Sequence, residues 1–498
     1  MSGSRTDAIV IGAGFAGIAA ATRLAMLGRS VTVVEKNQTP GGRAREFEVD
    51  GFRFDMGPSW YWMPEVFEEH FRDAGSSVEK HLDLVRLDPS YRTWFAPGPV
   101  DIPAGTDAVA DLFESMEEGA GEKFRDFMEE AGRKYHLGMG RFVRQPGHSP
   151  AELLDVTVLP EMMRLSMFSS LARHVRKRFS DPRIRSILEF PVLFLGGRAE
   201  SIPAMYSLMN YADTALGTWY PRGGMHEIVK AMVSVARDLG VRFRFGAPVE
   251  QVLEKDGRAC GVVVSGETLE ADTIIAAADY HHVEQNLLAE RWRRYSEAYW
   301  QKRVMSPSSM LFYLGLNRRV DALEHHNLFF DVPFEPHARV IYDHPAWPDN
   351  PLFYVCAPSR TDPTVAPEGC ENLFVLVPLA VGLEHDDQER ERQFDIVMDR
   401  MQQHLGDDLR PSIVVRRDYA HREFQSDYNS FRGNAYGLAN TLSQTAFLKP
   451  KMKSRLPGLF FAGQLTTPGP GVPPSLISGQ MAASEADVWL AGIGGGGN

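Results

Sequence analysis

Short apolar runs and helically spaced stretches alternate at both ends of this chain, with glycines at the joins. Asp7-Ala8-Ile9-Val10-Ile11 is a β-branched run of the kind buried parallel strands use. Residues 18–27 carry helical spacing and stop at Gly28, and residues 30–34 are a second apolar run. The pattern returns in mid-chain. Residues 226–239 read as a helix ending at Gly240, 241–245 as a strand, 251–253 and 261–264 as a hairpin about the turn at 254–257, and 270–279 as a closing strand. Near the carboxyl end, residues 456–463 read as turn, strand and glycine, and 475–490 as a helix.

The first join carries chemistry. Gly12-Ala13-Gly14-Phe15-Ala16-Gly17 lies between the first strand and the first helix. Gly12 permits a tight turn, Gly14 lets backbone approach a pyrophosphate, and Gly17 lets the helix pack closely on the strand. The helix start offers free N–H groups and a positive dipole end to phosphates. Glu35, followed by Lys36, comes about twenty residues after the first glycine, where a carboxylate can accept from ribose hydroxyls. An acid there disfavours a 2′-phosphate, so NADP is not expected. Strand, glycines, helix and acid together predict a dinucleotide site.

Composition adds exclusions. At 498 residues the chain is long enough for two domains. Its net charge of −12 argues against nucleic acid as a partner. Cys260, Cys356 and Cys370 stand far apart, so neither a disulfide framework nor a metal site is expected. His281-His282 reads as a helix start and His325-His326 as a loop, neither as metal ligands. No apolar run is long enough to span a bilayer, the amino terminus reads as strand–turn–helix rather than a leader, and a cytoplasmic protein is expected. The glycine-rich end, 491–498, is expected to be a flexible tail.

Two further segments narrow the cofactor. Thr39-Pro40-Gly41-Gly42-Arg43 follows the second strand, with bare backbone at Gly41 and Gly42 and a cation at Arg43 for a pyrophosphate. Then comes Asp55-Met56-Gly57-Pro58-Ser59-Trp60-Tyr61-Trp62. Near the other end, Phe461-Ala462-Gly463 precedes a stiff, bare loop, Thr467-Pro468-Gly469-Pro470-Gly471-Val472-Pro473. The following helix points its positive end at the place where a flat ring would lie. These motifs resemble those of the FAD-dependent amine oxidase superfamily, and the last loop resembles that of bacterial phytoene-type carotenoid desaturases. Residues 220–225 and 194–206 match the same group, and 311–315 and 325–327 more loosely.

The resemblance implies an α/β fold: a Rossmann-like FAD-binding domain, discontinuous in sequence (1–75, 220–285 and 450–490), with an α+β substrate-binding domain made of 76–219 and 286–449. It implies FAD held without a covalent bond, since no cysteine follows Cys370. It places Gly12–Gly17, Glu35, Lys36, Gly41, Gly42, Arg43, Gly57, Pro58, Ser59, Val249, Gly463, Gly471 and Val472 at the cofactor, Val249 through its backbone against the adenine. Trp60, Tyr61 and Trp62 would wall a polyene tunnel.

The implied reaction is desaturation of phytoene towards lycopene. Hydride would pass to flavin N5 and a proton would leave the neighbouring carbon, with quinone or oxygen as the final acceptor. An Arg–Asp pair considered as acid/base in some relatives is reduced here to Ala151-Glu152, which leaves Glu152 as a weak catalytic candidate that reads rather as the cap of a helix begun at Ser149-Pro150. Residues 160–180 mix Met162, Met163, Leu165, Met167, Phe168, Leu171, Val175 and Phe179 with Arg164, Arg173, Arg176, Lys177 and Arg178. That is either an interfacial helix, giving peripheral membrane association, or an ordinary helix with a core face. Alternatives on the same fold are another carotenoid or retinoid desaturase, isomerase or saturase, and a non-enzymatic isoprenoid-lipid carrier.

Overall fold

The first sheet joins three distant parts of the chain through parallel pairing. Across it run Arg242–Arg244, Val31–Val34, Thr6–Ile11, the second half of Glu267–Ala276, and Leu459–Phe461. Ala8, Ile9 and Val10 are wholly buried, as a central parallel strand covered on both faces requires. The first half of Glu267–Ala276 leaves the parallel register and pairs antiparallel with Arg258–Val264, which pairs in turn with Val249–Lys255. The computed structural model describes residues 6–149, 169–191, 196–441 and 443–494.

Two helices cover one face of this sheet at very short range. Phe15–Met26 follows the first strand, and Val472–Gly494 packs along it. A Cβ on Gly479 would lie 2.0 Å from the Ala16 carbonyl oxygen, and one on Gly17 would lie 1.9 Å from that of Gly12. Glycine at both places is therefore a packing requirement, and it draws the two chain ends together.

The second sheet has seven strands among the described residues, in the order Ile413–Tyr419, Ser308–Leu316, Glu371–Leu379, Phe353–Cys356, His326–Phe329, Tyr91–Phe95 and Gly98–Ile102. All neighbours are antiparallel except His326–Phe329 with Tyr91–Phe95. Its strands alternate faces with period two. Met310, Phe312 and Leu314 pack with Phe394, Val397 and Met401 of the helix Asp387–Leu405. Leu311, Tyr313, Leu328, Tyr354 and Phe374 face the other way, towards the first sheet and its helices.

Three expectations change, and one reading left open between two alternatives is decided over part of its length. His326 opens a strand rather than sitting in a loop, because it pairs with Cys356. The carboxyl-terminal helix begins at Val472, three residues early, since prolines suit a helix's first turn. It also runs to Gly494, so 491–494 are its last turn and not tail; buried Leu490 and half-buried Ile493 carry it on. In the 160–180 stretch, Leu171, Ala172, Val175 and Phe179 are buried in the core rather than facing lipid. Arg176 pairs with Glu189 and Glu200, and Arg178 with Glu130. The rest of that stretch, 160–168, and Glu152 lie outside the described residues. No helix among the described residues is long and apolar enough to cross a membrane.

Candidate functional site

The carboxyl ends of the parallel strands open onto one elongated cavity. Its volume of about 440 Å³ falls within the roughly 300–1,000 Å³ of small-molecule sites. One half is built of glycines and polar groups from the first sheet, the other of aromatic and aliphatic side chains from the second.

The glycine half starts at the first loop. Gly12 has φ 100°, a turn few other residues would accept. Gly14, Phe15 and Ala16 line the cavity where the helix Phe15–Met26 begins. No side chain caps that helix and no acid occupies its first turn, so its N–H groups and dipole remain available. Gly14 is instructive. Its φ of −80° suits any residue, and an added Cβ would meet protein atoms only at 4.0 Å. No described residue demands glycine there, and bare backbone at that point leaves room for a ligand to lie against it.

Glu35 ends the second strand and lines the cavity. Its Oε2 accepts from Ala13 N at 2.7 Å and its Oε1 from Asn37 N at 2.8 Å. Each oxygen keeps a further lone pair for a ribose hydroxyl. Lys36 also lines the cavity, with its ammonium on the Ser426 carbonyl and its pKa lowered by burial. Gly41 donates to Ala13 O at 2.7 Å, which pins the Gly41-Gly42-Arg43 turn against the first loop. Arg43 donates through Nη2 to Ser430 Oγ (3.3 Å) and Asn434 O (3.2 Å), and its guanidinium sits 5.1 Å from the Tyr428 ring centroid. Its Nε is buried and has no hydrogen-bond partner. Burial lowers its pKa from the usual arginine value, with Asp279 opposing the shift. An orphaned guanidinium N–H beside an uncapped helix start is the donor set an anionic pyrophosphate would complete.

Gly57, Pro58 and Ser59 line the same cavity, and Gly57 packs so closely that a Cβ would lie 2.6 Å from Arg43 O. Val249 closes one edge. From the chain's far end come Gly463, Gly471 and Val472. Ser478 ties that loop to its helix: its hydroxyl donates to Thr467 O at 2.7 Å and accepts from Gly463 N at 2.9 Å.

Three expected site residues stand behind the wall rather than in it. Ala13 and Gly17 do not line the cavity: Ala13 is fully buried and serves through its N–H to Glu35, and Gly17 serves the helix–strand contact. Trp60 and Trp62 line the cavity but Tyr61 does not, because successive side chains of an extended segment point to opposite sides. Tyr61 instead stacks on Phe67 at 4.6 Å.

Other lining residues were missed. Asp279 comes three residues after the closing strand Glu267–Ala276, beyond the carboxyl end of a parallel strand, where open α/β sheets bind their ligands. Its Oδ1 accepts from His282 N (3.1 Å) and its Oδ2 from Phe431 N (3.2 Å), and burial raises its pKa. That position after an apolar strand was a usable sign. Leu311, Leu328, Phe330, Tyr354, Phe374 and Tyr436 form the aromatic half and come from strands and loops far apart in sequence. Among the described residues, the acids of the lining are Glu35, Asp279 and Asp427, none of them from the second sheet.

The comparisons with known proteins agree with this geometry. The family model described as flavin containing amine oxidoreductase matches residues 15–486. The chain is 41% identical over 483 residues to a carotenoid 3,4-desaturase of Haloarcula japonica, covering 96% of this chain and 98% of that one. The chain belongs to the carotenoid desaturases of the flavin-containing amine oxidoreductase family. A zeta-carotene-forming phytoene desaturase of Myxococcus xanthus is 34% identical, over 97% of this chain and 94% of its own. Among solved structures, an oxidoreductase from Methanosarcina mazei superposes with a TM-score of 0.60 at 18% identity, over 97% of this chain and all of that one. This carotenoid-desaturase-family chain is thus an FAD-dependent oxidoreductase.

Proposed function

We propose that this flavoenzyme introduces double bonds into a C40 carotenoid, with segments 1–75, 220–285 and 450–490 holding non-covalent FAD and the remainder holding the hydrocarbon. The observation that carries the reading is the cavity's division: a glycine-and-arginine cradle shares one cavity with an apolar, aromatic wall to which, among the described residues, the second sheet contributes no carboxylate.

FAD, when bound, supplies the hydride acceptor. The chain's own residues do the rest. Gly14, the start of helix Phe15–Met26 and Arg43 would hold the pyrophosphate, Glu35 would accept from the ribose, and the Val249 backbone would serve the adenine. Gly463, Gly471 and Val472, secured through Ser478, would offer the second helix start to the ring, where its dipole would favour negative charge. Trp60, Leu328, Phe330 and Phe374 align the chain and keep water out. Removal of hydride from an allylic carbon leaves delocalised positive charge, which aromatic faces stabilise, so the wall needs no strong base.

The product favoured by the terminal motif is lycopene or a partly desaturated relative formed from phytoene. The identity to a 3,4-desaturase favours a second reading, action on an already conjugated chain end. An insoluble substrate implies encounter at a membrane surface, and reoxidation by quinone or oxygen completes turnover. Expression in cells accumulating phytoene, and separately lycopene, tests this by pigment analysis. New conjugated products in either host support desaturation and choose between the readings. From protein that carries FAD, unchanged pigments in both overturn it in favour of a carrier, and geometric isomers with no new double bond overturn it in favour of an isomerase.

A further inference from the structure

Behind the aromatic wall lies a cluster that the reaction as proposed does not use. His326 opens the strand His326–Phe329 and pairs across the ladder with Cys356. His325 precedes it, with its carbonyl accepting from Ala357 N at 2.8 Å. The register therefore brings two adjacent histidines to a cysteine thirty positions further along the sequence, all buried: His325 4%, His326 0% and Cys356 4% exposed. One nitrogen of each imidazole and Cys356 Sγ lie within 4.8 Å of one another.

The hydrogen bonding of the two rings is lopsided. His325 Nδ1 meets Thr361 Oγ1 at 2.8 Å, and His326 Nδ1 meets Tyr354 OH at 2.6 Å. Nε2 of both rings is buried without a partner. Two orphaned imidazole nitrogens beside a thiol call for an explanation, since buried polar atoms are ordinarily satisfied. Metal-ligating histidines show this arrangement, with one nitrogen held by an outer partner and the other on the ion. Aromatic neighbours fix the rings further. Trp60 stacks on His326 at 4.0 Å and 10°, and Tyr220 lies 4.6 Å from His325.

We propose that one imidazole nitrogen each of His325 and His326, together with Cys356 Sγ, binds one soft d10 metal ion, Cu⁺ or Zn²⁺, which clamps the strand ladder beneath Trp60 and Tyr354. A triangle with sides of at most 4.8 Å has a point within about 2.8 Å of every corner, against bonds of about 2.0–2.3 Å, so each ligand atom moves inward by well under its own radius. The donor set of two imidazoles and a thiolate suits this class of ion. A thiol gives up its proton as it ligates a metal ion, so uptake releases one proton. Thiolate with Cu⁺ is neutral overall, the form best matched to a dry site. With Zn²⁺ one positive charge remains, and the Asp55 carboxylate is the nearby countercharge.

The test is metal analysis of the purified, FAD-loaded protein after treatment with a chelator, followed by X-ray absorption at the zinc and copper edges. The proposal expects about one ion per chain, a first shell of two nitrogens and one sulfur, and a metal content that falls at least tenfold in Cys356→Ser and in His326→Gln, both still carrying full flavin. Should either variant fail to load flavin, wild-type protein incubated with Zn²⁺ or with Cu⁺ under anaerobic conditions decides alone, by uptake and sulfur ligation. Wild-type protein with full flavin that neither holds nor takes up either ion overturns the proposal, as does metal retained undiminished in Cys356→Ser. Flavin content is read separately, so these outcomes are independent of whether the carotenoid reading holds.

Discussion

The two halves of the cavity obey different rules. In the glycine half, backbone is the recognition surface, and single atoms decide the outcome. A Cβ on Gly17 or Gly479, which pack behind that surface, would come within 2.0 Å of a carbonyl oxygen, whereas Gly14 faces open cavity. In the aromatic half, side chains from Ser308–Leu316, His326–Phe329, Phe353–Cys356 and Glu371–Leu379 make a wall that depends on volume and shape. The contrast separates the two tasks of the molecule. A constant cofactor can be met by fixed backbone, whereas a long hydrocarbon needs a surface that side-chain changes can reshape.

The largest effect expected from breaking this contrast is at Gly17. Gly17→Ala forces a Cβ to 1.9 Å from Gly12 O, which separates helix from strand at a cost of at least about 4 kcal/mol; soluble expression and the thermal unfolding midpoint should both collapse. Gly14→Ala, three residues away, should leave unfolding unchanged in the FAD-free protein and weaken FAD binding by about a hundredfold, some 2.7 kcal/mol. Flavin retained through gel filtration measures it. If Gly14→Ala binds FAD normally, the loop is not the pyrophosphate site.

The aromatic half should respond the other way round. Phe330→Ala opens the wall beside Phe190 and is expected to lower desaturation of a long polyene about tenfold, roughly 1.4 kcal/mol, with flavin content untouched. Equal losses of flavin and activity would merge the two halves into one. The smallest effect belongs to Tyr61→Phe. The Tyr61 hydroxyl is buried without a partner and lies outside the cavity. Its removal should leave flavin content and product alone and raise stability by up to about 1 kcal/mol, seen as an unchanged or slightly higher unfolding midpoint.

Legibility from sequence divides along the same line. Gly12, Gly14, Glu35, Gly41, Gly42, Arg43 and Gly463 were readable because each sits at a fixed offset from a strand or helix end, and parallel βαβ units place those ends together. The same logic would have yielded Asp279, at the end of the closing strand. Tyr61 departs from the expectation for residues 60–62 because an extended segment alternates sides, so a run of three aromatics presents two surfaces. Phe330, Tyr354 and Phe374 were beyond reach, since long-range antiparallel pairing brings them together and no local spacing records it. His325, His326 and Cys356 show the same limit: ladder register makes a cluster of them, while sequence spacing argued against one.

The account stands or falls on whether electrons from a carotenoid reach the flavin. Purified FAD-loaded protein, mixed anaerobically with phytoene or lycopene in lipid vesicles, should lose its visible flavin absorbance as the polyene spectrum shifts to longer wavelength, one double bond gained for each flavin bleached. Flavin that stays oxidised with both polyenes, yet is readily reduced by dithionite, would contradict the claim that this cavity joins a hydrocarbon to FAD.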